Sequence, residues 1–182
     1  MIRALVFIIE TLANLFLFVL LLRFWLPWFG ADFRNPIAQG ILALTSPLVN
    51  PVRRYVPSLG RIDMATVLVA FAVQAVTIAL VTLLIGASPG LKLIVVASLF
   101  QLLQLTVQLF LFAIIIRIVL SWFAPHTHNP ATALLVNLTE PILRPLRRRV
   151  PPLGGFDISP VFAIILLGAL AILLDELQRS LL

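Results

Sequence analysis

The chain contains no cysteine, which excludes disulfide staples, thiol nucleophiles and cysteine-ligated metals. The same absence leaves the redox compartment open. Charge is also scarce: 11% of the 182 residues are Asp, Glu, Lys or Arg, against about a quarter in an ordinary soluble domain. No nucleophile–base arrangement and no glycine-rich phosphate loop can be assembled from these residues. The two histidines, His126 and His128, form an H-x-H. Without a third ligand they make no metal site, and a wet loop is their expected place. Catalysis has no support here, and the chain carries no cofactor-binding motif.

What the chain has in abundance is apolar side chain. Hydrophobic residues make up 62% of it and the mean hydropathy is +1.14. A domain of this size cannot hide so much apolar surface from water, so a bilayer is the expected solvent. Four segments are long enough to span the hydrocarbon core as helices, for which ~20 residues suffice: Ala4–Leu22, Met64–Ile85, Leu93–Ile116 and Ile158–Leu174. Trp25, Trp28 and Trp122 lie near the ends of the first and third, placed like an interfacial belt. The start, Met1-Ile2-Arg3 followed by an apolar run, is read as a retained span. Glu10 and Asn14 interrupt the run, and no small-x-small cleavage pattern ends it.

The chain is also written twice. With an offset of 94, residues 23–63 match 117–157 at 17 of 41 positions. Thr45, Pro47, Pro51, Arg53, Arg54, Val56, Pro57, Leu59, Gly60 and Asp63 recur as Thr139, Pro141, Pro145, Arg147, Arg148, Val150, Pro151, Leu153, Gly154 and Asp157. This is a tandem duplication, with a first repeat over 1–90 and a second over 91–182. The expected fold is all-α: four transmembrane helices as two tandem parallel repeats, each a helical hairpin with an amphipathic, proline-rich interfacial connection (29–63 and 123–157). Those two connections and their membrane edges hold ten of the 13 Lys and Arg; Arg3, Lys92 and Arg179 lie on the other face. The positive-inside rule then predicts a multi-pass protein of the cell's inner membrane with cytoplasmic connections and both termini outside the cytoplasm. Two spans per repeat predict a pseudo-two-fold axis along the membrane normal.

Within each connection, Asn35-Pro36 and Asn129-Pro130 read as helix starts, with Asn as cap and Pro at the first helical position. Ile37, Gly40, Ile41 and Leu44 are expected on one face, as are Leu134, Leu135 and Leu138 in the second copy. Thr45-Ser46-Pro47 and Thr139-Glu140-Pro141 are read as restarts with a second cap, because dense proline forbids a long straight helix. Leu48, Val52 and Val56 would then form the apolar side of a short basic element. Arg53, Arg54, Arg144, Arg147, Arg148 and Arg149 are the candidate lipid- or partner-binding residues, each worth ~1 kcal/mol near an anionic leaflet. Nothing interleaves aromatics with them as nucleic-acid binding requires, which argues against a nucleic-acid partner.

Two readings stand for Arg23, Asp63, Arg117 and Asp157. Arg–Asp pairs clamp the two helices of each repeat, or each Asp caps its helix and each Arg snorkels to the interface. Inside the spans, Glu10 and Asn14 lie one turn apart, and Gln101, Gln104 and Gln108 form a stripe; Gln104 and Gln108 are the repeat mates of Glu10 and Asn14. They serve either as hydrogen-bonding glue from span one to span three or to another subunit, or as a polar pathway.

The doubled pattern of apolar span, Arg, Asn-Pro, Thr-x-Pro, Pro-x-Arg-Arg, Pro, Leu-Gly, Asp and a further span resembles the YggT family, also called YlmG. These are small integral membrane proteins of bacteria and plastids. The resemblance covers nearly the whole chain and implies a membrane location and no enzymatic activity. Members are connected with division-site or nucleoid organisation, with osmotic and ion tolerance, and with cytochrome b assembly in plastids; the resemblance implies no site residue. The leading expectation is a non-enzymatic membrane protein that organises or recruits envelope or division-related partners, membrane-bound or cytoplasmic, through its basic cassettes on anionic phospholipid. The alternatives are an oligomeric channel or transporter component in ion or osmotic homeostasis, and an assembly factor for a membrane cytochrome.

Overall fold

The computed structural model of the chain describes residues 1–60, 62–123, 129–150 and 157–182. Arg61, the His126/His128 pair and the stretch 151–156, with Pro151, Leu153 and Gly154, lie outside the described residues, as does the side chain of Trp122. These residues form six helices in order: α1 (Ile2–Trp28), α2 (Pro36–Arg53), α3 (Met64–Leu84), α4 (Leu91–Phe123), α5 (Pro130–Arg149) and α6 (Ser159–Leu181). Among the described residues the fold is all-helical, with one isolated bridge between Leu59 and Ile62. α1, α3, α4 and α6 are long and apolar enough to cross a membrane.

Local chemistry explains where the helices begin. Asn35 and Asn129 accept from the N–H of Ile37 and Thr132, satisfying otherwise orphaned donors, and a proline opens each helix behind them. Asp63 receives the Thr66 N–H and hydroxyl, and Asp157 receives the Ser159 N–H at 2.9 Å. α1 and α3 end in Schellman closures: Ala31 N–H reaches Leu26 O and Ala87 N–H reaches Thr82 O. The reversal falls on Gly30 and Gly86 at φ +71° and +82°, a region where a Cβ is disfavoured.

The spanning helices pack with α1 against α3, α3 against α4 and α4 against α6, while α2 and α5 lie against their ends. The main core joins Leu17, Leu20 and Leu21 of α1 to Val69 of α3 and to Leu109 and Phe110 of α4. Smaller clusters seat α2 through Ala38 and Ile41 against Leu26, and α5 through Leu143 against Ile114 and Ala163. Much of the rest faces outward. α6 exposes Val161, Phe162, Ile165, Leu166, Leu170, Ile172 and Leu173, far more apolar surface than a soluble monomer tolerates. The balance fits hydrocarbon as the surrounding medium.

Two expectations are corrected. The connections do not break into two short elements: α2 runs unbroken through Pro47 and Pro51, and α5 through Pro141 and Pro145. In each helix the two prolines are one turn apart and exposed, so the missing N–H groups fall on the outer face while the opposite face is held by tertiary contacts. Thr45 and Thr139 are therefore mid-helix, not caps; their hydroxyls donate back to Ile41 O and Leu135 O at 2.6 Å. The buried face of α2 is Ala38, Ile41, Thr45 and Val49, whereas Ile37, Leu44 and Leu48 are exposed. Near the end of α1, Trp25 stacks on Phe29 at 5.6 Å and meets Phe110 edge-on at 5.4 Å, whereas Trp28 remains exposed.

Candidate functional site

Two constellations gather the polar side chains, one at the junction of spans and cassettes and one between spans. In the first, Arg23 projects from α1 and is 3% exposed. It donates to Thr45 Oγ1 at 2.8 Å and to Ser46 Oγ at 3.2 Å. Its mate Arg117 donates to Thr139 Oγ1 at 2.7 Å and pairs with Glu140 at 2.9 Å. Arg53 pairs with Asp63, and Arg147 pairs with Asp157 at 2.7 Å. Each bond thus recurs 94 residues further on.

The expected Arg–Asp clamp takes a different form. Arg23 Nε comes only to 4.0 Å from Asp63, and Asp63 is held by Arg53. Arg117 pairs with Glu140, which also takes Arg147 at 3.1 Å, and Asp157 is held by Arg147. The reason is reach. The arginines of α1 and α4 meet the threonine face of the packed α2 and α5 first, and the last turns of α2 and α5 bring Arg53 and Arg147 to the Asp residues that start the next helices. Ser46 stands where the second copy has Glu140, so the second network carries one more carboxylate.

Burial tends to raise the Asp63 carboxyl, but bonds from Thr66 and Arg53 outweigh it and hold the group below the usual carboxylate range. For Asp157 burial is likewise outweighed, here by Ser159 and Arg147, and its carboxyl is also lowered. Of the six cassette arginines, Arg53 and Arg147 are thus engaged. Arg54, Arg144, Arg148 and Arg149 are exposed and make no ion pair among the described residues. Beside the first pair lies a cavity of about 600 Å³ bordered by Trp28, Gly30, Arg53, Gly60 and Asp63.

The second constellation lies between the N-terminal halves of α1 and α4 and the C-terminal half of α3. Glu10, Asn14, Gln101, Gln104 and Gln108 all line one cleft of about 440 Å³. They are joined by Gln74, Thr77 and Thr82 of α3, which sequence reasoning passed over. Gln74 was visible as a lone amide at the centre of an apolar run; because its repeat mate is Gly168, the duplication did not single it out. The glue is also redirected. Gln74 bonds to Gln101 and Gln104 to Gln178 at 3.3 Å, tying α4 to α3 and α6. Among the described residues no side-chain bond joins Glu10 or Asn14 to α4.

The same residues can be compared with known proteins. An uncharacterised protein of Pseudomonas aeruginosa is 39% identical over 166 residues, covering 90% of this chain and 84% of its own length. The uncharacterised YggT of Escherichia coli is 34% identical over 165 residues, covering 91% and 86%. A shorter stretch, 59 residues at 41% identity, is similar to the chloroplastic YlmG homolog protein 2 of Arabidopsis thaliana, covering 31% of this chain and 22% of that protein. No solved structure matches. The CCB3/YggT family model matches twice, over residues 2–84 and 96–178, so the chain belongs to the CCB3/YggT family.

Proposed function

We propose that the protein is a non-enzymatic organiser of the inner membrane, holding α2 and α5 on the cytoplasmic leaflet and recruiting envelope or division-related partners there. The spans form two tandem hairpins inserted in the same direction, and both termini lie outside the cytoplasm. Support comes from one observation above others: Arg23, Arg53, Arg117 and Arg147 are held by internal bonds, while Arg54, Arg144, Arg148 and Arg149 are exposed and make no ion pair among the described residues. α2 also turns Ile37, Leu44 and Leu48 outward. A helix with a packed face, an outward apolar strip and basic residues at its end suits the headgroup layer of an anionic membrane.

The test replaces Arg54, Arg144, Arg148 and Arg149 with Gln together, leaving the internal pairs intact. Cellular distribution and crosslinked partners are then compared with the parent at equal protein level. Loss of partners or of localisation is the expected result. Unchanged distribution and an unchanged partner set would refute the reading.

A further inference from the structure

The cleft between α1, α3 and α4 is not used by the cassette reading and rests on different residues. Among the described residues Glu10 is the only charged one along it, and it makes no ion pair with any of them. Glu10 is exposed on a helix long and apolar enough to cross a membrane, where a carboxylate without a partner is unfavourable. Four glutamines and Asn14 surround the same space, offering carbonyl oxygens to a donor. Gln74 is 3% exposed, and its carbonyl oxygen is buried with no hydrogen-bond partner among the described residues, which is unfavourable for a polar group shut away from water. The volume, about 440 Å³, is far more than one bare ion or a few waters need and falls among small-molecule pockets. The remaining wall includes Ile78, Val81 and Leu93, which suits a short carbon chain.

We propose that this cleft binds a small organic ammonium ion, its charged head against Glu10 and the amide carbonyl oxygens and its carbon chain along Ile78, Val81 and Leu93. The single negative charge selects a cation, and the several oxygens accept the N–H donors of an ammonium head. The size and the apolar wall select an organic ion over a metal ion.

The test uses the full chain in nanodiscs of zwitterionic phosphatidylcholine, titrated calorimetrically with n-butylammonium chloride. n-Butanol serves as the neutral analogue and potassium chloride as the inorganic one. Saturable butylammonium binding, weakened about tenfold or more by Glu10→Gln and less by Gln74→Leu, is expected, since a bond to a charged group outweighs a neutral one. Butanol should bind at least tenfold more weakly. In the unaltered protein, butylammonium should also slow labelling of Glu10 by dicyclohexylcarbodiimide, read by peptide mass spectrometry, which keeps the test independent of whether the variants fold. Absence of saturable binding, equal affinity for butanol, displacement by potassium at equal concentration, or labelling unaffected by butylammonium would each overturn the proposal.

Discussion

Arg23 reaches from α1 to donate to the hydroxyl of Thr45 at 2.8 Å, fastening a spanning helix to the middle of a helix that contains two prolines. The hydroxyl donates its own hydrogen bond to Ile41 O, so it is both donor and acceptor in one buried chain. Arg117 and Thr139 form the same link. In both copies the arginine fixes where the cassette helix lies against the spans.

Removing that acceptor should be expensive in the first copy. Thr45→Val keeps the shape but leaves the Arg23 guanidinium, 3% exposed, with Ser46 as its hydrogen-bond acceptor and Asp63 at 4.0 Å. A loss of about 1–3 kcal/mol is expected. Thr139→Val should cost clearly less, because Glu140 still holds Arg117. Denaturant unfolding in detergent compares them, and equal losses would contradict this account.

Stability should fall in acid through Asp63 and Asp157. Both carboxyls are lowered in the folded protein, so the folded state binds fewer protons than the unfolded one, whose Asp titrates at about 3.9. The contribution is complete above that value and is lost as pH falls through the lower folded values. The thermal midpoint should therefore drop below about pH 4, and Asp63→Asn should lower it near neutrality and flatten the acid decline. An acid profile identical in the Asp63→Asn, Asp157→Asn double variant would refute the assignment.

The internal prolines offer a stabilising change. Pro47→Ala supplies an N–H for Ala43 O, and alanine exceeds proline by about 3 kcal/mol in a helix interior. Because α2 is already helical there, the midpoint should rise. A fall would mean that α2 depends on the proline for its path.

Packing, more than hydrophobic transfer, should govern the core. Leu17 and Leu20 are wholly buried while Leu166 is exposed. Leu20→Ala should destabilise by about 2 kcal/mol or more through the void it leaves, and Leu166→Ala should be nearly neutral, since lipid tails are as apolar as leucine. Equal effects would place α6 in a packed interface.

Topology is open to direct labelling. Single cysteines at Tyr55 and Arg149 should react with a membrane-impermeant thiol reagent from the same side, and one at Met1 from the other. Reaction of Tyr55→Cys and Arg149→Cys from opposite sides would exclude tandem insertion of the two hairpins.

Four apolar runs and an Asn-Pro start for each cassette could be read directly from the residues, because helix length against bilayer thickness and capping chemistry are local properties. So could the doubling of Arg, Thr, Pro and Asp, which is a matter of spacing alone. The partners of those residues could not. Asp63 and Arg23 are both charged and close to one membrane edge, yet the choice between pairing them and pairing Asp63 with Arg53 depends on how α2 packs on α1. The unbroken helix through Pro47 and Pro51 was likewise beyond local rules, since proline's preference is overridden only where the other face is anchored. The cleft was half visible: Glu10 and Gln104 stand out as polar residues in apolar runs, but Gln74 joins them only when α3 packs between α1 and α4. Residue type and period thus determined which segments become helices and which of them suit lipid, for these follow from backbone hydrogen bonding and side-chain transfer within one segment. Tertiary structure alone decided which arginine meets which oxygen and which amides share a cleft, because those choices are settled by distances between helices that are remote in the chain.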